Sequence, residues 1–128
     1  METFLKGKNI LVVEDEETNW FLIRDILEIY QAIMTWAEIG PKAIDLIKNG
    51  ENFDVILMDI NLPSMDGLEV TEKIKSLRAD IPIIAQTAFA LEEEIQKCYE
   101  AGCSGHVIKP FTVNELTEAL KKVLVSDK

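Results

Sequence analysis

Short apolar runs alternate along the chain with longer segments in which apolar residues recur every three or four positions. A short apolar run between turn residues predicts a strand buried on both faces of a sheet, whereas spacing by three and four predicts a helix with one apolar face. The runs cover residues 10–13, 33–37, 55–58, 81–85 and 106–108. The pattern therefore predicts five strands, each followed by a helix.

Several predicted helix ends carry residues that commonly start or stop a helix. The first helix is expected to begin near Thr18, and Gly40-Pro41 to open the second, because proline is tolerated in a first helical turn. Gly50 and Gly102 are placed to end the second and fourth helices. These signals set the expected limits of the helices.

Each predicted helix has one face suited to cover a sheet, and two helices start with the spacing of a capping box. The capping pairs are Asp66 with Glu69 and Thr112 with Glu115. The expected inward-facing residues, in chain order, are Ile23, Ile26, Leu27 and Tyr30; Ala43, Ile44 and Ile47; Val70, Ile74 and Leu77; Leu91, Ile95, Cys98 and Tyr99; and Val113, Leu116, Leu120, Val123 and Leu124.

Alternation of strands and helices predicts a parallel sheet with helices on both faces, which is an α/β three-layer sandwich. Right-handed crossovers make it a doubly wound (βα)5 sheet. The strand count and the length of 128 residues favour the flavodoxin-like strand order 2-1-3-4-5. We expect a single domain over residues 1–128, with its strand–helix core at about 8–125.

The composition is that of a globular protein with an acidic excess, at 48% hydrophobic residues and a formal net charge of −10. This charge argues against direct binding of nucleic acid, because phosphate backbones require a basic surface, although it leaves open a DNA-binding partner domain. No apolar stretch approaches the ~20 residues that span a bilayer, and the N-terminus has no signal-peptide core. We therefore expect a cytoplasmic domain without membrane contact. Cys98 and Cys103 are interpreted as small core residues in a reducing compartment.

Polar and charged residues follow four of the five predicted strands. Glu14 and Asp15 come after the first strand, Asp59 after the third, Thr87 after the fourth and Lys109 after the fifth. The carboxyl ends of parallel strands lie at one edge of a sheet, so these residues are expected to converge on one site. Taken singly, each has a simpler explanation, such as a loop cap or a solvated charge. Their coincidence at one edge favours a shared chemical role.

Three clustered carboxylates favour a bound cation. Unit charges about 4 Å apart repel by roughly 1–4 kcal/mol, so the acids need a counter-charge. An all-oxygen ligand set is typical of Mg²⁺ rather than zinc. A carboxylate in such a site can attack phosphorus and form an aspartyl phosphate, while a metal and a lysine neutralise the transferring group.

With these residues in place, the chain resembles the receiver domain of two-component response regulators. The motifs that carry the resemblance are Ile10-Leu-Val-Val-Glu14-Asp15-Glu, Leu57-Met-Asp59-Ile-Asn-Leu-Pro63-Ser-Met-Asp66-Gly67, Thr87-Ala88 and Lys109-Pro110-Phe111. The resemblance covers essentially the whole chain. It implies a phosphorylation switch that takes a phosphoryl group from phosphohistidine and has weak phosphotransfer and autophosphatase activity of its own.

The resemblance implies a role for each residue of the phosphorylation site. Asp59 would be the phosphoacceptor, Thr87 the switch hydroxyl and Lys109 the phosphate counter-ion. His106 occupies the second switch position, where members of the family usually carry an aromatic residue, often tyrosine. A cis peptide is implied before Pro110.

The resemblance also implies a set of Mg²⁺ ligands. Asp15 and Asp59 would bind the ion directly, together with the main-chain carbonyl of Asn61. Glu14 would act through a metal-bound water.

The implied partners are a histidine kinase or a histidine phosphotransfer domain, and a downstream output domain or protein. Residues 6–9 and 83–90 are similar to receivers of hybrid sensor histidine kinases, so we expect the C-terminal receiver of such a kinase, whose parent chain could be anchored in a membrane. A stand-alone single-domain regulator is the alternative. Trp20 is interpreted either as a partner contact or as a partly buried residue.

Three other classes fit the sequence less well. A phosphatase of the haloacid-dehalogenase kind needs Asp-x-Asp after its first strand, whereas residues 14–16 are Glu-Asp-Glu. A flavodoxin-like electron carrier needs a phosphate loop rich in Ser, Thr and Gly at that place. A degenerate receiver used only for binding would lack residues needed for phosphorylation, and all of them are present.

Overall fold

Five strands and five helices alternate in the computed structural model, which describes residues 3–63 and 65–125. The strands are β1 (Asn9–Val13), β2 (Ile33–Ala37), β3 (Val55–Asp59), β4 (Ile83–Thr87) and β5 (Gly105–Ile108). The helices are α1 (Glu17–Ile29), α2 (Gly40–Lys48), α3 (Gly67–Leu77), α4 (Glu92–Ala101) and α5 (Val113–Leu124). The two ends of the predicted domain, residues 1–2 and 126–128, lie outside the described residues.

The sheet is parallel and its strand order is β2-β1-β3-β4-β5, which confirms the predicted topology. Strand β3 is central, with Ile10 of β1 opposite Val55 and Ile83 of β4 opposite Ile56. Asp59, the last residue of β3, lies opposite Gln86. The order brings the ends of β1, β3, β4 and β5 together at one edge of the sheet.

The core has two layers because side chains of a strand alternate between the two faces of a sheet. Ile56 and Met58 of β3 pack with helices α2, α3 and α4. Val55 and Leu57 pack with helices α1 and α5 on the opposite face. All five residues of β3 are buried, which agrees with a strand that is covered on both sides.

Several predicted inward-facing positions are wrong. Leu77, Leu91, Tyr99 and Val113 are exposed, between 43% and 63% of their surface. Leu77 is the last residue of α3, Leu91 precedes α4, and Val113 is the first residue of α5. At these helix ends the apolar spacing continues although the side chain is not covered. Tyr99 lies within α4 and contacts His106 instead.

Other local predictions are partly confirmed. Thr112 and Glu115 form the expected capping box at the start of α5. Asp66 caps α3 as well, but its side chain accepts a hydrogen bond from the Leu68 N–H, at 3.0 Å, rather than from the N–H of Glu69. Gly50 has φ of +88°, the left-handed conformation expected after α2. Strand β4 begins at Ile83 rather than at residue 81.

Gly67 sets the tight connection between β3 and α3. Its N–H donates to the Ile60 carbonyl at 3.2 Å. A Cβ at this position would lie 2.6 Å from the Ile60 Cα and still closer to the Asp59 carbonyl oxygen. Only glycine therefore fits without displacing the backbone that carries Asp59.

Cys98 and Cys103 are both buried and free, as predicted for small core residues. Across the described part of the chain, no helix has the length and apolar character needed to cross a membrane.

Candidate functional site

Five predicted site residues lie at the edge of the sheet where the strands end. Asp59 and Thr87 are the last residues of β3 and β4, and both are buried. Glu14 directly follows β1 and is completely buried. Asp15 is next along the chain, and Lys109 directly follows β5. A parallel sheet places these positions side by side although up to 95 residues separate them in sequence.

Glu14, Asp15 and Asp59 form an acidic cluster. One carboxylate oxygen from each lies within 4.8 Å of the others, and among the described residues this is the one cluster of potential metal ligands. Oxygen ligands at this spacing suit a hard divalent cation such as Mg²⁺. The donor set of this site therefore fits the ion that the sequence predicts.

Lys109 supplies the positive charge at the acidic cluster. Its Nζ atom lies 3.2 Å from Asp59 Oδ2 and 3.6 Å from Glu14 Oε1. The peptide bond between Lys109 and Pro110 is cis, as the resemblance implies. One amine thus faces two buried carboxylates. The single positive charge of Lys109 does not balance the three carboxylates of the cluster.

The burial of Glu14 has an electrostatic consequence. Removal from water raises the pKa of the Glu14 carboxyl to about 7, and the nearby charge of Asp59 adds to this effect. Hydrogen bonding by Asn19 and the charge of Lys109 act in the opposite direction. The pKa of Asp15 is also raised, first by partial burial and then by its hydrogen bond with Asp59. Both shifts come first from burial, and the charge of the neighbouring Asp59 carboxylate adds to each of them.

The loops after β3 and β4 are joined by hydrogen bonds. The Asn61 N–H donates to Asp59 Oδ1 at 2.9 Å, and the Ala88 N–H donates to Asn61 Oδ1 at 3.4 Å. Thr87 Oγ1 accepts from the Phe89 N–H at 3.1 Å. The Thr87 hydroxyl therefore bonds the backbone of the loop that follows β4. The role of the Asn61 carbonyl as a metal ligand stays a prediction.

His106 is not part of the acidic cluster. It lies within β5, half-buried, and its Nδ1 atom is 2.8 Å from the Tyr99 hydroxyl of α4. The two rings meet edge to face, with centroids 5.7 Å apart. They line a groove of about 370 Å³ between α4, β5 and α5. His106 thus links β5 to α4, and its role as a switch residue stays a prediction.

Sequence reasoning missed two amides beside the cluster, of which Asn19 contacts Glu14 and Gln86 contacts Asn19. Asn19 Nδ2 donates to Glu14 Oε1 at 2.6 Å and to Gln86 Oε1 at 3.2 Å. Gln86 is completely buried in β4. The sequence did contain one indication of this contact, which is a glutamine near the end of a buried, mainly apolar strand. Buried polar groups usually have a specific hydrogen-bond partner.

Trp20 and Trp36 stack on each other beside the site. Their ring centroids are 5.1 Å apart and their planes differ by 10°. Trp36 Nε1 donates to the Glu14 carbonyl at 2.7 Å. Trp20 is half-buried, which agrees with its interpretation as a partly buried residue.

These observations define a doubly wound α/β domain with an acidic, lysine-containing site at the carboxyl ends of its strands. The family model for the response regulator receiver domain matches residues 10–121. The chain belongs to this family.

Curated relatives include both short and long proteins. The chain is 40% identical to the polar-differentiation response regulator DivK of Brucella ovis, over 91% of this chain and 96% of that protein. It is 32% identical to Probable histidine kinase 5 of rice, over 99% of this chain but only 13% of the kinase.

Solved structures agree with the fold. The receiver domain of a sensor histidine kinase from Pseudomonas aeruginosa is 34% identical, with a TM-score of 0.86 over 94% of this chain and 99% of that one. That structure was solved with a magnesium ion coordinated in its active site cleft. A receiver domain protein of Methanospirillum hungatei is 30% identical, with a TM-score of 0.86 over 94% and 95% of the two chains.

Proposed function

We propose that this chain is a phosphoacceptor that takes a phosphoryl group from phosphohistidine on Asp59, with Mg²⁺, and changes conformation in response. The observation that carries the proposal is the position of Asp59. Its carboxylate ends the central strand, belongs to a three-carboxylate cluster and lies 3.2 Å from the Lys109 amine.

In the proposed transfer, a carboxylate oxygen of Asp59 attacks the phosphorus of phosphohistidine. The O–P bond forms as the P–N bond breaks, and the departing imidazole takes up a proton from solvent. Lys109 would offset negative charge on the phosphoryl oxygens, and Thr87 would donate a hydrogen bond to one of them. Hydrolysis of the acyl phosphate by water would return Asp59 to its carboxylate form.

We propose that Asp15, Asp59 and the Asn61 carbonyl hold Mg²⁺ directly and that Glu14 holds it through water. A bound Mg²⁺ would neutralise the clustered carboxylates and the charge of the incoming phosphoryl group. The acidic cluster supports this assignment, because one carboxylate oxygen from each of Glu14, Asp15 and Asp59 lies within 4.8 Å of the others.

The proposed donors are a histidine kinase or a histidine phosphotransfer domain. The family match and the kinase among the relatives support this class of partner. A downstream output domain or protein would recognise the phosphorylated form. Like the receiver family it belongs to, the chain would be a signalling switch with weak phosphotransfer and autophosphatase activity.

The expected test result is a phosphoryl adduct on Asp59. The protein is incubated with Mg²⁺ and a small phosphodonor, and its mass is measured in the intact form. We expect one added phosphoryl group in the wild type and none in Asp59→Asn, because an amide cannot act as the nucleophile.

The matched control is Asp45→Asn, which changes an exposed aspartate of α2 and should leave the adduct unchanged. Absence of the adduct in a folded wild-type protein would refute the proposal. An adduct that persists in Asp59→Asn would assign the phosphoacceptor to another residue.

For the context of the domain, the C-terminal receiver of a hybrid sensor histidine kinase stays a prediction, with a stand-alone response regulator as the alternative. The rice kinase and the Pseudomonas receiver support the first context. DivK, which is 40% identical along 96% of its own length, supports the second.

A further inference from the structure

Two amide side chains beside the acidic cluster, one from α1 and one from β4, have no role in the proposed phosphoryl transfer. Asn19 Nδ2 lies 2.6 Å from Glu14 Oε1 and 3.2 Å from Gln86 Oε1. A side-chain amide nitrogen carries two hydrogens, and here each one has an acceptor. The Asn19 amide is therefore held between the metal-site glutamate and the buried glutamine.

Gln86 lies on the same face of the sheet as the acidic cluster. It is the direct neighbour of Asp59 in the register of β3 and β4. Glu14, Asp59 and Gln86 each follow, by two positions, a residue that packs into the layer of α1 and α5, and side chains two apart in a strand share a face. Those preceding residues are Val12, Leu57 and Ile84.

The position of Gln86 is costly for stability. The side chain is completely buried, and its Nε2 atom has no hydrogen-bond partner in the part of the chain that the structure describes. A buried donor without an acceptor loses its hydration and gains nothing in return. An apolar residue of similar size would avoid this cost, so stability alone does not explain a glutamine here.

We propose that Gln86 and Asn19 are positioning residues, which together hold the Glu14 carboxylate in the orientation that Mg²⁺ binding requires. This inference rests on the proposed function, because it assumes that the acidic cluster binds Mg²⁺. Partners that orient a metal ligand typically contribute about tenfold to a hundredfold in metal affinity. Gln86 contacts Asn19 rather than the cluster, so its effect on Glu14 passes through Asn19.

The experiment is a titration with MgCl₂ at constant ionic strength and one fixed pH, followed by tryptophan fluorescence and checked by calorimetry. The Trp36 indole donates to the Glu14 carbonyl at 2.7 Å, so its emission reports on this part of the site. The proteins are the wild type, Asn19→Ala, Gln86→Leu and the double variant. Asn19→Ser is included in case Asn19→Ala does not fold.

We expect the Mg²⁺ dissociation constant to rise about tenfold in Asn19→Ala and about threefold in Gln86→Leu. The double variant should bind no more weakly than Asn19→Ala, because the two residues act in series. The melting temperature of Gln86→Leu should equal or exceed that of the wild type, since the substitution removes the unpaired donor. Weaker metal binding in an equally stable protein distinguishes positioning from a structural role.

The matched controls are Asn114→Ala and Gln96→Leu, which alter exposed amides of α5 and α4 and should leave Mg²⁺ affinity unchanged. Unchanged affinity in folded Asn19→Ala or Asn19→Ser would overturn the inference, as would additive effects in the double variant. A lower melting temperature of Gln86→Leu with normal affinity would assign it a structural role instead. A wild type that binds no Mg²⁺ by either method would overturn the proposed function and, with it, this inference.

Discussion

Glu14 shows how burial and charge compete at a single residue. Its side chain is completely buried, yet it lies 3.6 Å from the Lys109 amine and accepts a hydrogen bond from Asn19. Burial has the larger effect and raises the pKa from its usual 4.5 to about 7. The folded protein without metal therefore holds a proton on Glu14 more tightly than the unfolded chain does.

This shift predicts a pH-dependent stability of the metal-free protein. Between about pH 4.5 and pH 7 the folded state binds more protons than the unfolded state, so the free energy of unfolding should fall as pH rises through this window. Between about pH 5 and about pH 8, the free energy of unfolding of the wild type should fall by about 2 kcal/mol more than that of Glu14→Gln. Urea denaturation of both proteins in a chelating buffer measures the difference.

The comparison with Glu14→Gln cancels the titration of the other carboxylates. A stability difference that stays constant with pH would show that Lys109 and Asn19 keep Glu14 charged despite its burial. A difference that changes in the opposite direction would mean that the ion pair with Lys109 dominates, because such a pair stabilises the charged form.

At the scale of elements, the connection from β3 to α3 determines where Asp59 lies. Gly67 begins α3 and lies against the backbone of Asp59 and Ile60. The Asp66 side chain caps the helix through the Leu68 N–H. A short connection with this packing has little freedom to adjust when its glycine gains a side chain.

We therefore expect Gly67→Ala to lower the free energy of unfolding by about 1–3 kcal/mol, as overpacking in a tight site typically does. The added Cβ would lie 2.6 Å from the Ile60 Cα. Denaturation in urea measures the loss. Gly105→Ala is the control, because its Cβ would meet no atom closer than 3.7 Å. Equal stability of the two variants would show that the loop moves away at little cost.

Helix α4 illustrates why amphipathic spacing alone does not identify buried residues. Its spacing predicts four inward positions, but only Cys98 of these is fully buried, while Leu91 and Tyr99 are exposed. Tyr99 instead meets His106 at the groove between α4 and β5. The helix is held by fewer buried contacts than its sequence suggests.

At the scale of the whole molecule, the sheet joins residues that are far apart in the chain into one site. The strand order and the family were predicted from the sequence and are confirmed. The acidic cluster and the contact of Lys109 with Asp59 agree with the expected convergence at the strand ends. What each residue does in phosphoryl transfer, and the identity of the partner, remain predictions.

The size of the native protein tests the predicted context of the domain. An antibody against this chain, used on cells that express the native gene, distinguishes the two contexts. A band several times larger than the chain is expected for the receiver of a hybrid kinase, as in the rice relative. A band of the size of the chain would instead support a stand-alone regulator like DivK. Purified recombinant chain run alongside is the size standard.

The sequence by itself determined the order of strands and helices and the residues that follow each strand, because these depend on local periodicity and on the direction of parallel strands. Only the tertiary structure decided which apolar residues are covered and which side chains complete the site. Asn19 and Gln86 are 67 residues apart, and no local pattern links them. They meet because α1 packs on the face of the sheet to which the Gln86 side chain points, and that contact exists only in the folded chain.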